Sequence, residues 1–109
     1  STILLMGITF KENCPDIRNT KVVDIYKELT EFGLAVDLYD PWASPNEVKN
    51  EYGIEIIAKV DENKKYNAII VAVAHDEFKS FNFKKYKDQN AIIYDAKNMV
   101  DRALVDARL

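Results

Sequence analysis

The sequence predicts an α/β domain: a Rossmann-like, three-layer fold with a five-stranded parallel sheet in the order 3-2-1-4-5. Short apolar runs recur along the chain, helical patterns fall between them, and the connections are brief. Strands that alternate with helices in this way build a parallel sheet with right-handed crossovers. The 109 residues make one domain, long enough to bury about 65% of its unfolded surface without disulfides or metals.

The opening run Ile3-Leu4-Leu5-Met6 reads as a buried strand that breaks at Gly7. A polar loop comes next and carries two cations, Lys11 and Arg18, before Asn19 and Thr20, either of which can cap a helix. Val22, Val23, Ile25, Tyr26, Leu29 and Phe32 recur at helical spacing, which predicts a helix from Thr20 to Phe32 with Gly33 as its C-cap. Leu34 to Tyr39 is the second strand, stopped by Asp40-Pro41 because proline cannot donate to a ladder. Ser44-Pro45 opens a short helix through Tyr52, ended by Gly53.

Ile54 to Ile57 is a short third strand, and Asp61 to Tyr66 a short helix or turn. Ala68 to Val73 is continuously apolar, as a strand covered on both faces should be. His75 to Phe83 holds one short helix, Lys84 to Asn90 is a polar connection, Ala91 to Asp95 is the last strand, and Met99 to Leu104 starts a final helix. In this order the switch point falls between the first and fourth strands. The Gly7–Arg18 loop then shares a crevice with the loop at Ala74-His75.

Composition narrows the function. A net charge of -3 argues against a general nucleic-acid binder, which needs a basic face to displace counterions. No apolar run approaches the ~20 residues of a membrane span. The opening apolar run is too short for a signal peptide and lacks a basic flank. A single cysteine suits a reducing compartment, and with a single histidine it argues against a zinc site. The chain enters a core strand almost at once and Ser1 is no natural initiator, so the expectation is a domain cut from a longer protein.

Strand, cation-bearing loop and helix start form the geometry in which α/β proteins hold phosphates. A crossover loop whose charges are merely solvated is the other reading, and topology alone leaves both open. A dinucleotide fingerprint fails, because only Gly7 follows the first strand, with Thr9 and Glu12 where more glycines are needed. A nucleotide bound here would be held by cations. Lys11 and Arg18 are the candidates, since arginine matches phosphate bidentately and lysine acts as a point charge.

Asp16 either orients Arg18 or fixes a turn after Pro15. Cys14 has no histidine nearby in sequence and precedes a proline, so it reads as a packing or incidental thiol. His75 lies just past a core strand, where ligands gather, and reads as a helix cap or structural hydrogen-bond donor, with ligand contact as the alternative. Asp95-Ala96-Lys97-Asn98 repeats the logic of the first loop: Lys97 is placed to reach a phosphate and Asn98 a sugar hydroxyl, with solvated residues as the default. Trp42 packs either under its own loop or against a neighbouring domain.

Together, Gly7-x-x-Phe10-Lys11, Asp16-x-Arg18-Asn19-Thr20, Tyr39-Asp40-Pro41, Ala72-Val73-Ala74-His75 and Tyr94-Asp95-Ala96-Lys97 cover nearly the whole chain. They resemble the C-terminal domain of the UDP-glucose/GDP-mannose dehydrogenases. The run Glu12 to Lys21 looks most like the branch that oxidises UDP-N-acetylhexosamines for surface polysaccharides. The resemblance implies a division of labour. An N-terminal Rossmann domain binds NAD, a central helical domain carries the catalytic cysteine and the dimer contacts, and the C-terminal domain closes over the nucleotide sugar.

By the same resemblance, Phe10 and Lys11 contact the UDP-sugar and Arg18 reaches the NAD held by the other domain. Lys97 and Asn98 stand near the place where some members carry a substrate-binding arginine, absent here. Cys14 does not match the catalytic cysteine, so neither a catalytic residue nor a metal is expected within residues 1–109. The implied whole is a cytoplasmic, homodimeric, NAD-dependent UDP-sugar 6-dehydrogenase, with this chain as its substrate-binding lid and inactive alone. The alternative from another class is a free-standing Rossmann-like regulatory or interaction module, such as a receiver-type domain. A receiver needs an acidic cluster after the first strand and a phosphorylatable aspartate on the third, and Met6-Gly7-Ile8-Thr9 and Ile57-Ala58-Lys59 supply neither.

Overall fold

A computed structural model describes residues 2–9, 12–17, 21–60, 63–95 and 107–108. Strand β1, Thr2–Met6, has a parallel neighbour on each edge: β2, Ala35–Tyr39, and β3, Ala68–Val71. β3 pairs in parallel with β4, Ile92–Asp95, which pairs with a two-residue β5, Ala107–Arg108. Helices α1, Val22–Glu31, and α2, Pro45–Tyr52, together with a 3-10 helix, Asp76–Ser80, and α3, Phe83–Asp88, complete the described elements.

The period-2 alternation of the strands sorts their side chains into two cores, one on each face of the sheet. Leu4, Met6, Ile69, Val71 and Ile93 pack with Phe78, Phe83 and Tyr86, from the 3-10 helix and α3. Leu5 and Leu38 pack on the opposite face with Val22, Val23 and Val48, from α1 and α2. Covering both faces is what a parallel sheet requires, and it explains why β1 and β3 are apolar at every position after Thr2. The parallel α/β, three-layer expectation holds.

The strand order departs from 3-2-1-4-5. Four of the five expected strands form, and the observed order is β2-β1-β3-β4-β5. Residues 54–57 lie beside β2, but they make a single bridge, Ile57 to Tyr39, with Ile57 N–H on the Leu38 carbonyl at 2.8 Å. In that register residues 54–56 stand beside 36–38, within β2, yet no ladder forms along them, and none continues past Tyr39. The Asp40 side chain folds the chain back at once, and Pro41 has no N–H to offer.

α2 follows its sequence signals. The Ser44 hydroxyl accepts from Glu47 N–H, Pro45 occupies the first turn, and Gly53 closes the helix in the left-handed region at φ 69°. α1 is shorter than predicted and starts at Val22, with Lys21 at its N-cap and no side-chain cap. The proposed caps Asn19 and Thr20 lie outside the described residues, as does the proposed helix from Met99 to Leu104. Phe32, counted on the apolar face, is the C-cap and is 81% exposed, because it falls beyond the last turn that can face the sheet.

Residues 84–90 are not a simple polar connection. Asn82 caps α3 by accepting from Lys85 N–H at 3.2 Å, and Phe83 and Tyr86, three apart, bury one side of its six residues. The one short helix expected between His75 and Phe83 is the 3-10 helix Asp76–Ser80.

Candidate functional site

The crossover through α1 leads from β1 to β2 at one edge, and the next returns the chain across β1 to β3. The carboxyl ends of these three strands therefore meet at the switch point, where α/β folds place ligands. Gly7 follows β1 at φ 100°, and a Cβ there would sit 2.6 Å from Val73 Cβ and 2.9 Å from Val73 N. The glycine serves a close crossing of two loops. The gap it leaves is filled by Val73, so it offers no cradle to a pyrophosphate.

Asp40, at the end of β2, organises the strand ends around it. Its Oδ2 accepts from Ile8 N–H at 2.7 Å, Thr9 N–H at 3.1 Å and His75 Nε2 at 2.9 Å. Its Oδ1 accepts from Trp42 N–H at 2.7 Å and Ala43 N–H at 3.1 Å, an Asx turn within Asp-Pro-Trp-Ala. Burial alone would raise the Asp40 pKa. The hydrogen bonds from His75 and from the Ile8 and Trp42 amides outweigh it and hold the carboxyl below its ordinary 3.8.

His75 is fully buried and links three segments. Asn13 N–H donates to Nδ1 at 2.9 Å, so Nδ1 carries the lone pair and the ring proton belongs on Nε2. Nε2 faces Asp40 Oδ2 and also lies 3.0 Å from Thr9 Oγ1. The Asn13 side chain continues across the gap, accepting from Asp76 N–H at 2.9 Å. Trp42 stacks on the imidazole, with centroids 6.2 Å apart, and its Nε1–H donates to Glu77 at 2.9 Å. The loop is anchored again at Ile17, whose carbonyl accepts from Tyr52 of α2.

Threonine, histidine and aspartate in contact invite comparison with a nucleophilic triad. The geometry excludes it. A general base uses one ring nitrogen for the nucleophile and the other for the carboxylate, whereas here Thr9 and Asp40 share Nε2. Thr9 is 1% exposed and Asp40 4%, so no substrate reaches them. The cluster is a clamp that holds the loop after β1 against the end of β3. His75 thus takes the structural role expected of it, by side-chain hydrogen bonds rather than as a side-chain helix cap.

Phe10, Lys11, Arg18, Lys97 and Asn98, the residues expected to bind substrate and cofactor, lie outside the described residues. The structure describes their chain neighbours: Thr9 and Asn13 bracket Phe10 and Lys11, Ile17 precedes Arg18, and buried Asp95 ends β4 before residue 96. Asp16 is half-buried and Cys14 is a half-buried free thiol. Sequence reasoning missed Asp40 as the hub, and with it Thr9, Asn13 and Tyr52. Asp-Pro-Trp directly after a strand was the available signal, since aspartate before proline often binds amides two and three residues on.

A cleft of about 360 Å³ opens on the other side of β2, among Tyr39, Lys59, Phe78, Phe81 and Lys85. Burial, then the negative charge of Glu77 and Asp40, raises the Tyr39 pKa. Among the described residues no group of three or more His, Cys, Asp or Glu could hold a metal, and no helix is long and apolar enough to cross a membrane.

Residues 4–102 match the profile of the UDP-glucose/GDP-mannose dehydrogenase family, UDP binding domain. The chain is 47% identical over 110 residues to the UDP-N-acetyl-D-glucosamine 6-dehydrogenase of Pseudomonas aeruginosa, covering 98% of this chain and 26% of that protein. It is 43% identical to the enzyme of the same name from Salmonella typhi, covering 100% of this chain and 26% of the relative. The chain thus spans about a quarter of the length of these relatives. The fold is shared with the UDP-N-acetyl-mannosamine dehydrogenase Cap5O of S. aureus, with a TM-score of 0.72 and 22% identity over 98% of this chain and 25% of that one. A receiver-type module finds no support in these matches. The chain belongs to the UDP-glucose/GDP-mannose dehydrogenase family, of which it is a UDP binding domain.

Proposed function

We propose that this chain is the substrate-binding lid of an NAD-dependent dehydrogenase that oxidises the C6 alcohol of a UDP-N-acetylhexosamine to a carboxylate in two hydride transfers, supplying surface polysaccharide synthesis in the cytoplasm. The observation that carries the reading is the 47% identity, across essentially the whole chain, to a UDP-N-acetyl-D-glucosamine 6-dehydrogenase. The relative is about four times longer, which accommodates an N-terminal NAD-binding domain, a central domain with the catalytic cysteine, and a homodimer contact outside this chain. Val73 fills the space beside Gly7, and no glycine-rich fingerprint follows the first strand, which supports an NAD site outside this chain. In this reading NAD is bound mainly by another domain, and by the family resemblance Arg18 reaches it across the cleft. The clamp on the loop after β1 presents Phe10 and Lys11 to the UDP-sugar, and Lys97 and Asn98 meet it from the end of β4.

The complete protein, given UDP-N-acetylglucosamine and NAD, should release two reduced cofactors per sugar and yield the uronic acid by mass spectrometry. Failure to oxidise any UDP-hexose or UDP-N-acetylhexosamine would overturn the reading. Cys14→Ser should leave kcat within about threefold of wild type, because Cys14 is a half-buried loop thiol that does not match the family's catalytic cysteine. A drop of several orders of magnitude in kcat would place the nucleophile here after all.

A further inference from the structure

We propose that the neutral imidazole of His75 is a positioning residue for the substrate loop: one rigid ring sets the separation of Thr9 and Asn13, the residues that bracket Phe10 and Lys11. The inference rests on the function proposed above. Thr9 Oγ1 lies 3.0 Å from Nε2, and Asn13 N–H donates to Nδ1 at 2.9 Å, so the two ends of the segment meet opposite edges of the same ring. The ring cannot drift, because Asp40 Oδ2 holds Nε2 at 2.9 Å while Trp42 stacks on one side and Phe78 meets it edge-on at 5.3 Å.

Each end has a second anchor: Thr9 through its own N–H on Asp40 at 3.1 Å, and Asn13 through its Oδ1, which accepts from Asp76 N–H at 2.9 Å. Asn13 sits at φ 54°, a left-handed conformation that asparagine adopts more readily than other residues with a side chain. A pair of bonds ties it to the start of the 3-10 helix: Asn13 N–H to His75 Nδ1, and Asn13 Oδ1 from Asp76 N–H. Of these two bonds only the one to Nδ1 runs through the ring, so that acceptor is what His75 itself contributes to the Asn13 end. The groups facing the imidazole are Thr9 and Asn13 from the loop, Asp40 and Trp42 from the end of β2, and Phe78 from the 3-10 helix.

Two substitutions separate the two edges of the ring. In His75→Asn the side-chain oxygen stands two bonds from Cβ, as Nδ1 does, and keeps an acceptor for Asn13. In His75→Gln the side-chain nitrogen stands three bonds from Cβ, as Nε2 does, and keeps a donor for Asp40 while the Nδ1 acceptor is lost. In the complete enzyme, His75→Gln should raise KM for the UDP-sugar about fivefold to tenfold with KM for NAD little changed, whereas His75→Asn should stay within about twofold. Hydrogen exchange across residues 7–17 should rank the variants the same way. Asn13→Gly keeps the left-handed backbone without strain and loses only the tie to Asp76, so it should fold normally and raise KM by a smaller factor. Turnover by the wild-type enzyme tests the function by itself. Equal KM values for Gln and Asn, or faster exchange in Gln with KM unmoved, would overturn the positioning role and leave His75 as a purely structural contact.

Discussion

Asp40→Ala should cost the domain at least about 4 kcal/mol, a large share of the 5–15 kcal/mol that holds an ordinary domain together. The carboxylate accepts from four backbone amides, Ile8, Thr9, Trp42 and Ala43, and from His75, all at 2.7–3.1 Å. Alanine leaves these buried donors without an acceptor, and each such loss costs about 1–3 kcal/mol, less than additively within one network. Asp40→Asn keeps one acceptor oxygen but turns an NH2 toward amide donors, so it should fall between wild type and alanine. Thermal and denaturant unfolding give the ranking. An alanine variant that melts within a few degrees of wild type would show that the clamp is not what holds the three strand ends together.

The same carboxylate sets the acid limit. Its folded pKa is held below the ordinary 3.8, so the ionised form is favoured by folding. That contribution is fully present above the unfolded value and is lost as the pH falls through the folded one. Stability should be level with respect to this group through neutral pH and decline below the usual carboxylate range, with a shallower decline in Asp40→Asn.

Lys11→Ala and Arg18→Ala in the complete enzyme should separate by ligand. A charge-assisted contact from Lys11 to a phosphate or sugar oxygen is worth about 1.5–3 kcal/mol, so its loss should raise KM for the UDP-sugar roughly tenfold to a hundredfold. Arg18 follows Ile17, the residue anchored through its carbonyl to Tyr52, and by the family resemblance faces the cofactor across the interdomain cleft. Its removal should weaken NAD more than the sugar. If Arg18 only pairs with Asp16 and holds the loop, its loss instead lowers the melting temperature and leaves NAD dependence unchanged. Both Michaelis constants and the melting temperature, measured for each variant, decide between these outcomes.

Much of the fold was legible because local rules and tertiary demands agreed. Ser44-Pro45 and Gly53 bound α2 as their capping chemistry requires, and the unbroken apolar character of β1 and β3 announced strands buried on both faces. Legibility failed where a segment was short and its environment decided. Ile54 to Ile57 has strand composition, yet it makes one bridge to β2, at Tyr39, and its own residues do not record that pairing stops there. α3 looked like polar linker because only Phe83 and Tyr86 of its six residues reach the core.

The candidate site divides along the same line. The sequence by itself determined that a loop bearing Lys11 and Arg18 leaves the first strand, that no glycine cradle accompanies it, and that its motifs are those of a UDP-sugar dehydrogenase domain. These are properties of adjacent residues, and adjacency is what a sequence records. Only the tertiary structure decided that Asp40, His75, Thr9 and Asn13 form one network, because its hydrogen-bonded pairs are 31 to 66 positions apart along the chain. Hydrogen bonds between strand ends depend on which strands become neighbours, and that is settled by packing the whole sheet, with Gly7 crossing Val73 too closely for any side chain.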